Sequence, residues 1–257
     1  MWNTVPKVVK PRNERKLRIH QALARQLGTA ILSGVYKPGQ GLNNEIELSA
    51  ELSVSRTAYR EAMRILTAKG LIESRPKIGT QITPRSRWNF LDPDILAWMF
   101  SERPNESFVR DLFELRGLIE PAAAAFAATR RTSKHLAGMQ RALEGMRRHG
   151  LGKPEGREAD RQFHHLILDA AGNEALRSLS SSVEAAVTWT TYFKQRKGAL
   201  RRDPLPAHEG VFRAIKSGNP GKARRAMETL LAEALEDMGY GAATRKRSGG
   251  RSARRIR

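Results

Sequence analysis

The sequence predicts a mostly α-helical protein in two parts, an N-terminal winged helix-turn-helix followed by an all-helical C-terminal bundle. Three observations carry that expectation. Between Leu42 and Thr83, two short helical stretches flank a tight turn and run into two β-patterned segments around a proline turn. Beyond Pro104, apolar residues recur at helical spacing in successive segments, with no strand-like alternation. The 257 residues exceed one typical domain, and domains of roughly 70 and 140 residues would each bury a core.

Charge narrows the class of partner. Lysine plus arginine number 46 against 26 acids, a formal charge of +20 with a pI near 11.1, far more than solubility requires and suited to a polyanion. No run approaches the roughly 18 apolar residues of a spanning helix, and the first residues lack a signal peptide's apolar stretch. A cytoplasmic protein without a membrane partner is expected. The absence of cysteine excludes disulfides, thiolate metal sites and cysteine nucleophiles, so any transition metal falls to carboxylates and the six histidines.

Each element follows from local pattern. Residues 1–15 are basic and proline-marked and read as a flexible arm. Ile19, Leu23, Leu27, Ala30 and Ile31 give a first helix, stopped by Gly34 and Pro38-Gly39, and a second helix is expected over about 45–52. After the turn Val54-Ser55-Arg56, Ser55 caps a third helix that runs to about Lys69 and ends at Gly70. Segments 71–74 and 79–83 flank Pro76 as a β-wing, closing a first domain of residues 16–87. Residues 88–104, with Trp88, Phe90, Ile95, Leu96, Trp98 and Phe100, are too apolar for a free connection and read as a docking linker with a helix from about Asp92. The helical domain, 105–240, divides into helices at about 106–130, 132–149, 156–171, 173–197, 204–217 and 219–239. Residues 241–257 carry Arg245, Lys246, Arg247, Arg251, Arg254, Arg255 and Arg257 without an acid, the composition of a disordered basic tail.

The third helix has the composition of one that reads DNA. Ser55, Arg56, Thr57, Tyr59 and Arg60 lie at its N-terminal end, where arginine can bond a guanine edge bidentately while hydroxyls and the helix N-terminus hold phosphates. A basic helix is also an ordinary solvated face, but here the helix pair, the wing and the net charge agree. The stretch LNNEIELSAELSVSRTAYREAMRILTAKGLIESRPKIGTQI resembles the GntR winged-helix domain across residues 17–87. That resemblance implies base and phosphate contacts from Ser55, Arg56, Thr57 and Arg60, with Lys77 and Gly79 in a wing that enters the minor groove. One departure is Ile46, where that family often carries arginine.

In the helical domain, Asp160 and His164 are four residues apart and share one helix face, the placement of a two-point ligand or metal site and equally of a surface ion pair. Arg116 sits among Leu112, Phe113, Leu115, Leu118 and Ile119 and needs a carboxylate from the protein or from a ligand. His208 opens an amphipathic helix, where capping is the alternative, and Asn173 reads first as an N-cap. The phrases ELRGLIEPAAAAFAA, DRQFHHLILDAAGN and HEGVFRAIKSGNPGKARRAM resemble the FCD effector domain of the FadR branch of GntR regulators. The resemblance implies a divalent metal, such as zinc, nickel or manganese, on Asp160, His164 and His208, beneath an effector pocket that includes Arg116, Asp160, His164, Asn173 and His208. The fourth ligand position falls on Leu230, which cannot coordinate, so the set is either a three-ligand metal site or a metal-free polar pocket. The bridging phrase RSRWNFLDPDILAWM resembles the galactonate-operon repressor group of that branch, which implies a sugar acid such as galactonate as effector.

These readings converge on a homodimeric, sequence-specific repressor of sugar-acid catabolism genes that binds double-stranded operator DNA and is released by a small carboxylate. Two alternatives stand beside it: a structural, nucleoid-type DNA binder, suggested by the charge and tail, and a metal-dependent hydrolase built on Asp160, His164 and His208. The hydrolase lacks an evident general base, so the protein is expected not to be an enzyme.

Overall fold

The computed structural model describes residues 19–42, 54–76, 78–101, 104–196 and 202–239, without the side chains of residues 195 and 196. The expected helix over 45–52, Ile46, Lys77, the basic arm and the basic tail lie outside the described residues. The chain forms two compact units, Met1–Pro104 and Asn105–Arg257. Among the described residues no helix is long and apolar enough to cross a membrane.

The first unit contains α1 (Ile19–Leu32), α2 (Arg56–Ala68), an antiparallel hairpin of β1 (Ile72–Arg75) and β2 (Gly79–Ile82), and α3 (Pro93–Ser101). Apolar residues four apart on α1, Leu23, Leu27 and Ile31, meet Tyr59, Ala62 and Leu66 on the inner face of α2. Ser55 caps α2 as its spacing predicts, its side chain accepting from the Ala58 amide at 3.2 Å. Gly70 ends the helix at φ +75°, where an added Cβ would stand 2.2 Å from the Arg87 carbonyl oxygen, so no larger residue fits that turn. The hairpin pairs Ile72 with Ile82 and Arg75 with Gly79, and burying the two isoleucines sets the register.

Residues 88–101 belong to this same core. Trp88, Ile95 and Trp98 pack with the α1 and α2 side chains, and the Trp88 indole donates to the Thr83 carbonyl at 3.1 Å. Asp92 joins the two helices: one carboxylate oxygen accepts from the Asp94 and Ile95 amides that start α3, and from the ammonium of Lys69, the C-cap of α2, at 2.7 Å. Burial lowers the pKa of Lys69, but Asp92 and Asp94 outweigh it and leave the ammonium above its ordinary value.

The second unit contains α4 (Glu106–Arg130), α5 (Ser133–His149), α6 (Pro154–Ala170), α7 (Glu174–Ser178), α8 (Ser180–Arg196), α9 (Leu205–Lys216) and α10 (Pro220–Asp237). Helix α6 packs against α4, α5 and α8, while α9 and α10 pack on each other and on α4. Ala123, Ala124, Ala127 and Ala128 give α4 a smooth buried face on which Phe163, Ile167, Val211, Ile215, Met227 and Leu231 form the core. Two arginines ending α4 satisfy carbonyls left open at other helix ends: Arg130 donates to Ala171 at 2.8 Å and Arg131 to Lys216 at 3.1 Å. The single helix expected over 173–197 is two. Leu179 closes α7, with its amide turned back to the Leu176 and Arg177 carbonyls, and the chain restarts in a run of serines, which favour turns and caps over helix interiors.

Candidate functional site

Asp160 and His164 lie one turn apart on the buried face of α6, and His208 on α9 meets them there. The three offer donor atoms within 4.8 Å of one another. His208 Nε2 is 2.9 Å from Asp160 Oδ1, and His164 Nε2 is 3.7 Å from the same oxygen. Phe163, fully buried, meets the His208 ring nearly edge-on at 5.4 Å between centroids. His165, the other half of the histidine doublet, points out of the cluster and pairs with Glu184 at 2.7 Å.

The far nitrogen of each imidazole sets the chemistry. His164 Nδ1 bonds the Glu120 carboxylate, and His208 Nδ1 lies 2.7 Å from the Pro204 carbonyl oxygen. Both partners only accept, so both Nδ1 atoms carry hydrogen and each Nε2 is left as the inward donor atom. A 2.9 Å contact between a bare Nε2 and a carboxylate oxygen would set lone pair against lone pair. It is attractive when Nε2 is protonated or when a cation lies alongside both atoms. Outer acceptors that hold histidines with Nε2 facing a shared carboxylate are the usual support of a metal site, and this donor set fits a divalent ion with three protein ligands. Leu230, buried in the same wall, supplies no fourth.

Charge balance is arranged around the cluster. Burial pushes the Glu120 carboxyl up, but Arg116, whose Nε donates to it at 2.6 Å, and His164 outweigh burial and hold its pKa at about 2. Asp160 is likewise pushed up by burial and brought well below the carboxylate range by His208, His164 and Lys194, and it accepts from the Thr191 hydroxyl at 3.1 Å. The carboxylate that Arg116 requires is therefore supplied from its own helix, one turn on. Lys194 also lines the space, 8% exposed, and burial pulls its pKa down. Glu120, Thr190, Thr191 and Lys194 were not foreseen from sequence. Glu120 stood at a readable i+4 spacing from Arg116, whereas Lys194 in TYFKQR looks like any solvated cation.

Asn173 does not join the site. It is an exposed N-cap of α7, accepting from the Leu176 amide at 3.1 Å, and is spent on that cap. The interior space among the site residues is about 30 Å³, room for an ion or a water or two, so the expected sugar-acid pocket is closed in this conformation.

On the first unit, Ser55, Arg56, Thr57 and Arg60 are exposed on one side of α2. Tyr59 is not among them: at 5% exposure it shares the buried face with Ala62 and Leu66, because positions i, i+3 and i+7 of a helix face one way. Gly79 turns the wing at φ +87°, and Ile78 stands exposed at the tip.

Comparison with known proteins accounts for both halves. Residues 19–82 match the family described as bacterial regulatory proteins, gntR family, and residues 111–233 match the FCD domain. The galactonate operon transcriptional repressor of Escherichia coli (strain K12) is 35% identical over 209 residues, covering 80% of this chain and 90% of that protein. The HTH-type transcriptional regulator LutR of Bacillus subtilis (strain 168) is 30% identical over 214 residues, covering 81% and 95%. A solved structure of Lar, described as controlling the expression of the Listeria monocytogenes agr system, shares the fold with a TM-score of 0.62 at 19% identity, over 88% of this chain and 99% of that one. These domains and relatives are those of transcriptional regulators and not of enzymes. The chain thus belongs to the GntR family of bacterial transcriptional regulators, with an FCD domain as its helical half.

Proposed function

We propose that this regulator is a homodimeric repressor of sugar-acid catabolism genes, and that a small carboxylate bound in the FCD domain releases it from its operator. The observation that carries the effector reading is the buried convergence of Asp160, His164 and His208 beside Arg116. A core of helices has no packing reason to hold so many charges, and buried charges with strongly shifted pKa values lining a cavity are the signature of a ligand site. The relatedness to a galactonate operon repressor supports a sugar acid as the ligand class. In this reading a divalent ion, zinc, nickel or manganese, rests on Asp160, His164 and His208, and the effector lies against that cluster beside Arg116, whose charge Glu120 already holds in place. Ser55, Arg56, Thr57 and Arg60 contact the operator, with Lys77 and Gly79 at the wing, and two copies bind two half-sites.

The space at the site is smaller than a sugar acid, so binding selects a more open arrangement of the bundle. Coupling of about 1–3 kcal/mol between that arrangement and the DNA-bound one would shift operator affinity by roughly 5- to 150-fold. The test is fluorescence anisotropy with DNA from upstream of the protein's own gene and with random DNA of equal length, titrated with galactonate. Tight binding to the upstream DNA alone, weakened by galactonate, is the expected result. Equal affinity for both DNAs would replace the repressor with a structural DNA binder, and no response to any sugar acid would remove the effector assignment.

A further inference from the structure

Two polar groups that line the same small space have hydrogen-bonding capacity left over among the described residues. Lys194 is more than nine-tenths buried, yet among the described residues its ammonium has no hydrogen-bond partner; Asp160 and Asp237 act on it only through space. Arg116, the other buried cation there, is already engaged by Glu120. Asp237 Oδ1, at the end of α10, is buried and makes no hydrogen bond. Arg202 Nε lies 3.3 Å from it but outside bonding geometry, and Arg202 is held instead by Glu236 at 2.9 Å.

A buried ammonium with no hydrogen bond among the described residues, and a buried carboxylate oxygen whose only neighbour is an ion pair outside bonding geometry, leave hydrogen-bonding capacity that a ligand can take up. We propose that Lys194 and Asp237 form a recognition pair for a polyhydroxylated acid, Lys194 taking an anionic oxygen of the ligand and Asp237 accepting from one of its hydroxyls. The inference rests on the effector reading above and adds where the ligand's polarity is read. The helix α8 favours this role: Lys194 stands four residues after Thr190 and three after Thr191, so it shares a helix face with each of them, and all three line the site. Thr191 is spent on Asp160 and Thr190 on the Ala186 carbonyl, so Lys194 is the group on that helix left for an incoming anion. An acid without hydroxyls satisfies Lys194 alone, and a neutral sugar satisfies Asp237 alone. A hydroxy acid satisfies both.

The experiment is isothermal titration calorimetry of the full chain with galactonate and gluconate, on wild type, Lys194→Met and Asp237→Asn, with thermal melting of each ligand-free protein. The expected result is at least a tenfold loss of affinity in each variant, with a Lys194→Met melting temperature equal to or above that of wild type. If wild type binds and both variants bind within twofold of it, the pair is overturned while the effector reading stands. If Lys194→Met melts several degrees lower, Lys194 is a structural counter-ion of Asp160 and the proposal fails on that side. If wild type binds neither acid, the effector reading fails first and the pair falls with it.

Discussion

Glu120 keeps its charge in the interior because a guanidinium and an imidazole hold it from two sides. Its carboxyl titrates near 2 in the folded protein against an ordinary value of about 4.5, so between those values the unfolded chain binds more protons than the folded one. Its contribution to stability is whole above about pH 4.5 and is lost as pH falls toward 2. Melting temperatures measured from pH 6 to pH 3 should fall steeply for wild type and less steeply for Glu120→Gln, which also begins less stable at neutral pH. At Leu230, a histidine would add a donor to the three already converging, and Leu230→His should bind zinc at least tenfold more tightly in competition with a chelator. Arg56→Ala should cost about 1–3 kcal/mol of operator binding with little change in melting temperature, since the side chain is exposed. At this scale the sequence disclosed what a fixed spacing reveals. Asp160 and His164 could be placed on one face from their separation alone, while the partnership of His208 with Asp160, 48 residues away, came only with the family resemblance. Tyr59 packs into the core; aromatic residues serve a core and a DNA face alike, and only the neighbours Ala62 and Leu66 tell the two apart.

Helix boundaries were the most legible elements, because capping residues and glycines act within one turn. Ser55, Asn105 and Asn173 each cap the helix that follows, their side chains accepting from its first-turn amides. The break at Leu179 escaped because no proline or glycine marks it and the apolar pattern continues through it. The close crossing of α1 and α3 was equally invisible: a Cβ on Gly28 would lie 2.3 Å from the Trp98 ring, a contact that joins residues far apart in sequence. Gly28→Ala should therefore destabilise the first unit by about 1–3 kcal/mol through overpacking, seen as a lower midpoint in urea. An alanine at the exposed Gly117, where a Cβ meets nothing within 4 Å, should be neutral or slightly stabilising in the same assay.

For the whole molecule, the +20 charge makes DNA affinity a function of salt, log K falling in proportion to log salt with a slope set by the phosphates neutralised. Removing residues 241–257 takes away seven cationic side chains, Arg245, Lys246, Arg247, Arg251, Arg254, Arg255 and Arg257. Anisotropy across a salt series should show a shallower slope and weaker random-DNA binding, with the preference for operator retained. The ion pair between Lys69 and Asp92 carries a consequence of another kind. Lys69 closes the helix that presents Arg56 and Thr57, and Asp92 opens the helix that leads toward the effector domain's sequence. With Trp98 beneath the same ammonium, the two helices meet at a welded joint instead of a swivel. Packed and ion-paired in this way, α3 works as the handle of a crank: a displacement of α3 that keeps these contacts has to carry α2 with it.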